Sequence, residues 1–291
     1  MKILDGKSLS NIIKEEIKKS VVARELNGLK KPHLAAVLIG NDGASLTYVE
    51  SKIRSCKQVG ILSSIVKLEQ TISEEELLLE IRKLNDNYEI DGYIVQLPLP
   101  NHIDENLILK SIDPNKDVDG FHPSNFGLMA LEIPKFIPAT PNGIVEIIKR
   151  YKIPTSGKIC LVIGRSNIVG RPISILMSQK KSYGNATVIL AHSRTKNIKN
   201  LTLKSDIIIS ALGKPGFIKA DMVKDNAVII DVGITRVSDK NNPKGYIIKG
   251  DVDFENVSKK VSYITPVPGG VGPMTIAMLL KNTLLACQIK D

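Results

Sequence analysis

Ser45, Tyr48 and Lys52 stand at i, i+3 and i+7 of a stretch with helical patterning, so a hydroxyl, a phenol and an amine share one face. A lysine in such company becomes a proton carrier when burial lowers its pKa, because it can then both take and give a proton. Tyr48 could stack on an aromatic ligand or hydrogen-bond to Lys52. The same spacing also fits an amphipathic helix whose lysine snorkels to water. Gln96 opens Gln96-Leu-Pro-Leu-Pro100 at the end of an apolar run. Polar groups at the carboxyl ends of parallel strands point into the ligand crevice, and an amide there holds a substrate or a water without adding charge. Asp117-Val-Asp119-Gly120 follows Pro114. Asp119 can accept hydrogen bonds from a pterin-like amide and amine edge, or it can be the plain turn residue that Asp-Gly also permits.

A second chemistry sits between Lys158 and Pro172, KICLVIGRSNIVGRP. An apolar strand, Ile159 to Ile163, ends at Gly164, and Gly170 follows where a helix starts. Free backbone N–H groups and the helix dipole there suit the phosphates of a dinucleotide. Ser166 stands where the usual G-x-G-x-x-G has its second glycine. The next apolar stretch, Ala186 to Ala191, ends at His192-Ser193-Arg194. An NAD site would carry an acid near that point for the ribose 2′-OH, whereas Ser193, Arg194 and Arg165 suit a 2′-phosphate and hence NADP. An ordinary strand-to-helix turn with solvated arginines is the alternative. Pro266 to Thr275, PVPGGVGPMT, is glycine-rich and proline-stiffened and opens a helix, where it could cradle a cofactor or substrate.

Other catalytic sets are missing from the pattern. The histidines His33, His102, His122 and His192 show no metal spacing, and there is no G-x-S-x-G elbow. Cys56, Cys160 and Cys287 are far apart, form no CxxC, and read as small core residues of a reducing compartment. No run reaches the ~18 apolar residues of a membrane span, and MKILDGKSLS lacks a signal peptide's apolar core. A cytoplasmic protein with no membrane partner is expected. The net charge of +10 is spread through the chain and aromatic residues are few, which argues against nucleic acid as a partner.

The elements that would position these residues alternate in type. Leu9, Ile12, Ile13, Ile17 and Val21 predict one buried helix face. Strands are expected at 33–40, 63–67 and 92–96, with helices at 45–59 and 74–84 between them, which is the order of a parallel sheet covered by helices. Pro98, Pro100, Pro114 and Pro123 then break regular structure. A linking helix, 143–151, leads to strand 159–163, helix 169–180 and strands 186–191, 206–210 and 227–232. The loop Asp239 to Lys244 is polar and undiagnostic. A last apolar helix, 274–287, returns the chain to its first domain. The expected organisation is α/β with two domains: 1–141 with 273–291, and a Rossmann-type 142–272.

YVESK with Gly60, QLPLP, KDVDGF, TPNGI, GRSNIVGRP, the His192-Ser193 pair, DVGI and PVPGGVGPMT occur in order and nearly end to end. In this the chain resembles the bifunctional methylenetetrahydrofolate dehydrogenase / methenyltetrahydrofolate cyclohydrolase family. The resemblance implies a folate-binding catalytic domain and an NADP-binding domain with a cleft between them, in a homodimer. It implies NADP-dependent oxidation of 5,10-methylenetetrahydrofolate to the methenyl form, then hydrolysis to 10-formyltetrahydrofolate, with no metal. Lys52 matches the family's catalytic lysine, Gln96 the glutamine that tunes it, Asp119 the aspartate that grips the folate ring, and Tyr48 the tyrosine packed on it. Gly164, Arg165 and Ser166 match the phosphate turn, Ser193 the 2′-phosphate contact and Ile234 a backbone contact near the nicotinamide. Pro268 and Gly269 are expected substrate contacts.

Overall fold

The apolar runs form strands and the periodic segments helices in a computed structural model that describes residues 1–243 and 245–290, Ala44 through its backbone alone. Lys244, the end of the expected polar loop, and Asp291 lie outside the described residues. In chain order the elements are β1 (Lys2–Ile3), α1 (Gly6–Leu26), β2 (His33–Ile39), α2 (Gly43–Val59), β3 (Leu62–Leu68), α3 (Glu74–Asp86), β4 (Gly92–Val95), α4 (Glu105–Ser111), α5 (Pro123–Ala130) and α6 (Ala139–Arg150). They continue with β5 (Ile159–Ile163), α7 (Gly170–Ser178), β6 (Thr187–Ala191), α8 (Ile198–Lys204), β7 (Ile207–Ser210), β8 (Val228–Asp231), β9 (Thr235–Ser238), β10 (Tyr246–Lys249), α9 (Phe254–Val257), β11 (Tyr263–Ile264) and α10 (Val271–Ile289). No helix among the described residues is long and apolar enough to cross a membrane.

The chain divides into two compact units, Met1–Ser10 with Thr140–Thr275, and Asn11–Ala139 with Ile276–Asp291. The second contains a parallel sheet in the order β3-β2-β4. β2 is apolar at every position after His33, as a strand covered on both faces must be. Its Ala35, Val37 and Ile39 join Leu77, Ile81 and Leu84 of α3 in one core, and α2 packs against β2 and β3. Ser73 and Glu76 close a capping box that starts α3 just ahead of that apolar face.

The first unit is built on six parallel strands in the order β1-β11-β8-β7-β5-β6. Leu161, Ile163, Ile208 and Ile229 stack on Val223, Val257 and Val261 to form its core. β1 runs beside β11, with the Lys2 and Leu4 amides donating to Ser262 and Ile264 at 2.7 and 2.8 Å. Residues 1–10 therefore group with the dinucleotide-type unit, whereas the sequence pattern placed them with the N-terminal domain. Two residues give no local sign of this pairing, because its register is set by a strand about 260 positions away.

Three smaller expectations are corrected. Ile12 is 53 % exposed, because one residue's rotation carries it off the stripe of Leu9, Ile13, Ile17 and Val21. Pro123 starts α5 rather than breaking structure, since the N–H it lacks has no helical partner at the first position. α7 stops at Ser178, where Gln179 turns extended with ψ 151°. On either side of the expected polar loop, β9 and β10 pair as an antiparallel hairpin, with Arg236 over the Tyr246 ring.

Candidate active site and dinucleotide turn

Asp42 caps α2 by accepting the Ser45 amide at 2.8 Å, so the helix begins in phase to carry Ser45, Tyr48 and Lys52. Ser45 is buried, Lys52 half-buried, and Tyr48 is 39 % exposed. The Lys52 ammonium donates to Gln96 Oε1 at 3.2 Å, across to the end of β4. Gln96 Nε2 donates to the Leu97 carbonyl at 2.7 Å, which fixes the amide with its oxygen toward the lysine. Burial pulls Lys52 below its ordinary value, partly countered by the negative charge of Asp119. One turn on, Cys56 is fully buried, and burial pushes its thiol up to about 12. It stays a neutral thiol and supplies no counter-ion. Here is an amine that burial drives toward its neutral form, held by a neutral hydrogen-bond acceptor.

The Asp117–Gly120 loop settles which aspartate makes the turn. Asp117, 1 % exposed, accepts from the amides of Gly120, Phe121 and His122 at 3.1, 3.2 and 2.8 Å and from Asn125 Nδ2 at 2.9 Å. Asp119 has no part in that scaffold. Among the described residues no hydrogen bond reaches its carboxylate, and burial, reinforced by Asp117, raises its pKa while Lys52 lowers it. A half-buried carboxylate with unused acceptor sites is what recognition of an amide and amine edge requires. From α10, Asn282 Nδ2 donates to the Val118 and Ile137 carbonyls at 2.8 and 3.0 Å, gripping the backbone beside Asp119. Asn282→Ala leaves two carbonyls short of a donor and is expected to cost about 1–3 kcal/mol. Denaturant unfolding checks this, and an unchanged midpoint contradicts it.

In the other unit, β5 ends at Gly164 with φ +118°, where an added Cβ would lie 2.4 Å from the Ala211 carbonyl. Only glycine makes that turn. Ser166 then acts inward: its Oγ accepts from Val169 and Gly170 at 3.2 and 3.3 Å, and its carbonyl from Arg171 at 3.0 Å. The amides at the start of α7, expected to be free, are thus spent on Ser166. The amides without an acceptor among the described residues are those of Arg165 to Ile168, in the exposed turn one step earlier. Successive free amides of this kind suit a pyrophosphate. After β6 the His192 amide donates to Thr195 Oγ1 at 2.9 Å, closing a turn that leaves Ser193 and Arg194 exposed. The donor set suits a dinucleotide with an added phosphate, whose nicotinamide ring accepts a hydride when bound.

Ile234 follows β8 and is 43 % exposed. Pro268 and Gly269 lie in this same unit, and the Gly269 carbonyl accepts the Lys7 amide at 2.9 Å. The structure brings Lys52, Gln96 and Asp119 together in one unit, with Tyr48 on the same helix, and places Pro268 and Gly269 in the other. The scaffold residues Asp117, Asn125 and Asn282 had no sequence signal beyond the paired aspartates of KDVDG.

Residues 4–119 match the tetrahydrofolate dehydrogenase/cyclohydrolase catalytic domain, and residues 138–291 match the NAD(P)-binding domain of the same enzymes. The chain belongs to the tetrahydrofolate dehydrogenase/cyclohydrolase family. It is 64 % identical over its whole length to the bifunctional protein FolD of Flavobacterium johnsoniae, covering 99 % of that protein. The crystal structure of the FolD methylenetetrahydrofolate dehydrogenase/cyclohydrolase of Campylobacter jejuni superimposes with a TM-score of 0.94 at 46 % identity, over 100 % of both chains. The Trypanosoma brucei enzyme, solved with NADP and an inhibitor, gives a TM-score of 0.94 at 35 % identity, over 99 % of this chain and 97 % of that one. The chain is a bifunctional methylenetetrahydrofolate dehydrogenase and cyclohydrolase.

Proposed function

We propose that Lys52 moves the proton in the hydrolytic half of this bifunctional chemistry, that Asp119 binds the folate ring, and that NADP is the preferred dinucleotide. The observation that carries the reading is the Lys52–Gln96 hydrogen bond in the same unit as an Asp119 carboxylate that accepts no hydrogen bond among the described residues. The methenyl compound is a cation, so attack by water needs a base and a protonated leaving nitrogen. Neutral Lys52 takes a proton as the water oxygen bonds to the methenyl carbon. The ammonium then returns a proton to the ring nitrogen as the carbon–nitrogen bond breaks. The hydroxyl proton leaves to solvent as the formyl group forms. Gln96 holds the amine through this exchange without adding charge. Tyr48 offers the folate an aromatic face. Oxidation of the methylene carbon needs mainly alignment of the hydride donor and acceptor.

Preference for NADP is supported by Arg165, Ser193 and Arg194, by the absence of an acid in His192-Ser193-Arg194, and by the NADP-bound trypanosomal relative. Arg165→Ala is expected to remove a charge-assisted bond of about 1.5–3 kcal/mol, raising the NADP KM roughly 10- to 100-fold and the NAD KM far less. Steady-state kinetics with both dinucleotides check it. Equal efficiencies in the unmodified chain, or equal losses in the variant, would contradict the assignment.

A homodimer is part of the same reading. β3 is an edge strand with Leu62 and Ile65 exposed, and an exposed apolar edge is a surface that proteins cover. A cytoplasmic location is supported by three buried cysteines that form no disulfide among the described residues.

A further inference from the structure

At the carboxyl ends of β7 and β8 two carboxylates are buried in the same unit as the dinucleotide turn. Asp231 is 3 % exposed and Asp251 0 %. Asp231 accepts from the amides of Gly233, Asp251 and Val252 at 2.9, 3.0 and 2.9 Å, and its own amide donates to Thr265 Oγ1 at 2.7 Å. Asp251 accepts from Ser210 Oγ at 3.0 Å and from the amides of Leu212 and Lys214 at 2.6 and 2.8 Å. No lysine or arginine side chain is among these donors. Burying two acids side by side is costly, and burial raises Asp231 to about 6. The chain closes tightly on the pair as well. A Cβ on Gly233 would lie 2.4 Å from Asp251 Oδ1, and one on Gly250 would lie 2.1 Å from Asp231 Oδ2.

The segments tied by the pair lead to the candidate dinucleotide contacts. Ser210 and Leu212 flank Ala211, whose carbonyl backs the Gly164 turn. Gly233 immediately precedes Ile234. An acceptor-only group gathers amides from several loops at once, which a neutral side chain with its own donor cannot do.

We propose that Asp231 and Asp251 are positioning residues for the dinucleotide, holding the Ala211 and Ile234 loops in register with the Gly164 turn without touching the ligand. The proposal rests on the reading of this unit as the NADP-binding unit. An asparagine at either position keeps the shape but turns an amide donor toward the converging N–H groups.

Asp251→Asn and Asp231→Asn, measured as full chains, decide the matter. NADP KM is expected to rise at least tenfold and dehydrogenase kcat/KM to fall at least tenfold. Hydrolysis of methenyltetrahydrofolate, which needs no dinucleotide, stays within twofold. An unchanged NADP KM in the folded variants overturns the proposal, and so does an equal fall in both activities, the mark of a merely structural role. If neither variant folds, Ser210→Ala replaces them. It removes the hydroxyl that donates to the Asp251 carboxylate, and it is expected to raise NADP KM at least threefold with hydrolysis retained; an unchanged KM overturns the proposal. Failure of the unmodified chain to bind NADP would instead defeat the underlying reading.

Discussion

Lys52→Met is expected to abolish hydrolysis of methenyltetrahydrofolate, by about 100-fold or more, while the protein stays folded and still binds NADP. Methionine keeps the volume and removes the amine that donates to Gln96. The pH profile gives a second readout. Burial lowers Lys52 from 10.5, so the amine becomes neutral at a lower pH than an ordinary lysine. Hydrolysis by the unmodified chain should rise as pH rises through that lowered pKa, and the variant should lack the rising limb. Near-normal hydrolysis by a folded variant would remove Lys52 from the chemistry.

Asp119→Ala is expected to damage both activities, because folate binding is common to them. Ring donors left without their acceptor cost about 1–3 kcal/mol, more with a charged partner, or roughly 5- to 150-fold in folate affinity. The variant has a further signature. Asp119 holds the Lys52 pKa up, so its loss should shift the residual rising limb toward acid. Binding of a folate analogue tests the first effect, and unchanged affinity would leave Asp119 without its assigned role. The turn itself should survive, since Asp117 makes it.

The fold was legible where the signal is local. β2 and β5 are continuous apolar runs between turn residues, and α3 pairs a capping box with a regular apolar stripe. Pairings between distant segments were not legible. β1 is two residues long and acquires its place only from β11, and the β9–β10 hairpin joins two four-residue strands across a polar loop. In the candidate site, spacing alone put Ser45, Tyr48 and Lys52 on one face. It could not say which aspartate of KDVDG is consumed by backbone amides, because either one can accept from the amides of a turn at Gly120. Nor could it show that Ser166 occupies the first amides of α7, or that Asp231 and Asp251, twenty positions apart, share one set of loops.

One absorbance experiment reaches the assignment of two reactions to one chain with Lys52 serving hydrolysis. Unmodified protein and Lys52→Met are each given methylenetetrahydrofolate and NADP, and NADPH and the methenyl product are followed together. The unmodified chain should form NADPH while the methenyl compound is consumed to 10-formyltetrahydrofolate. The variant, where it still turns over, should accumulate methenyl compound in step with NADPH. Absence of NADPH from the unmodified chain, or consumption of the methenyl compound by the variant at the unmodified rate, would contradict it.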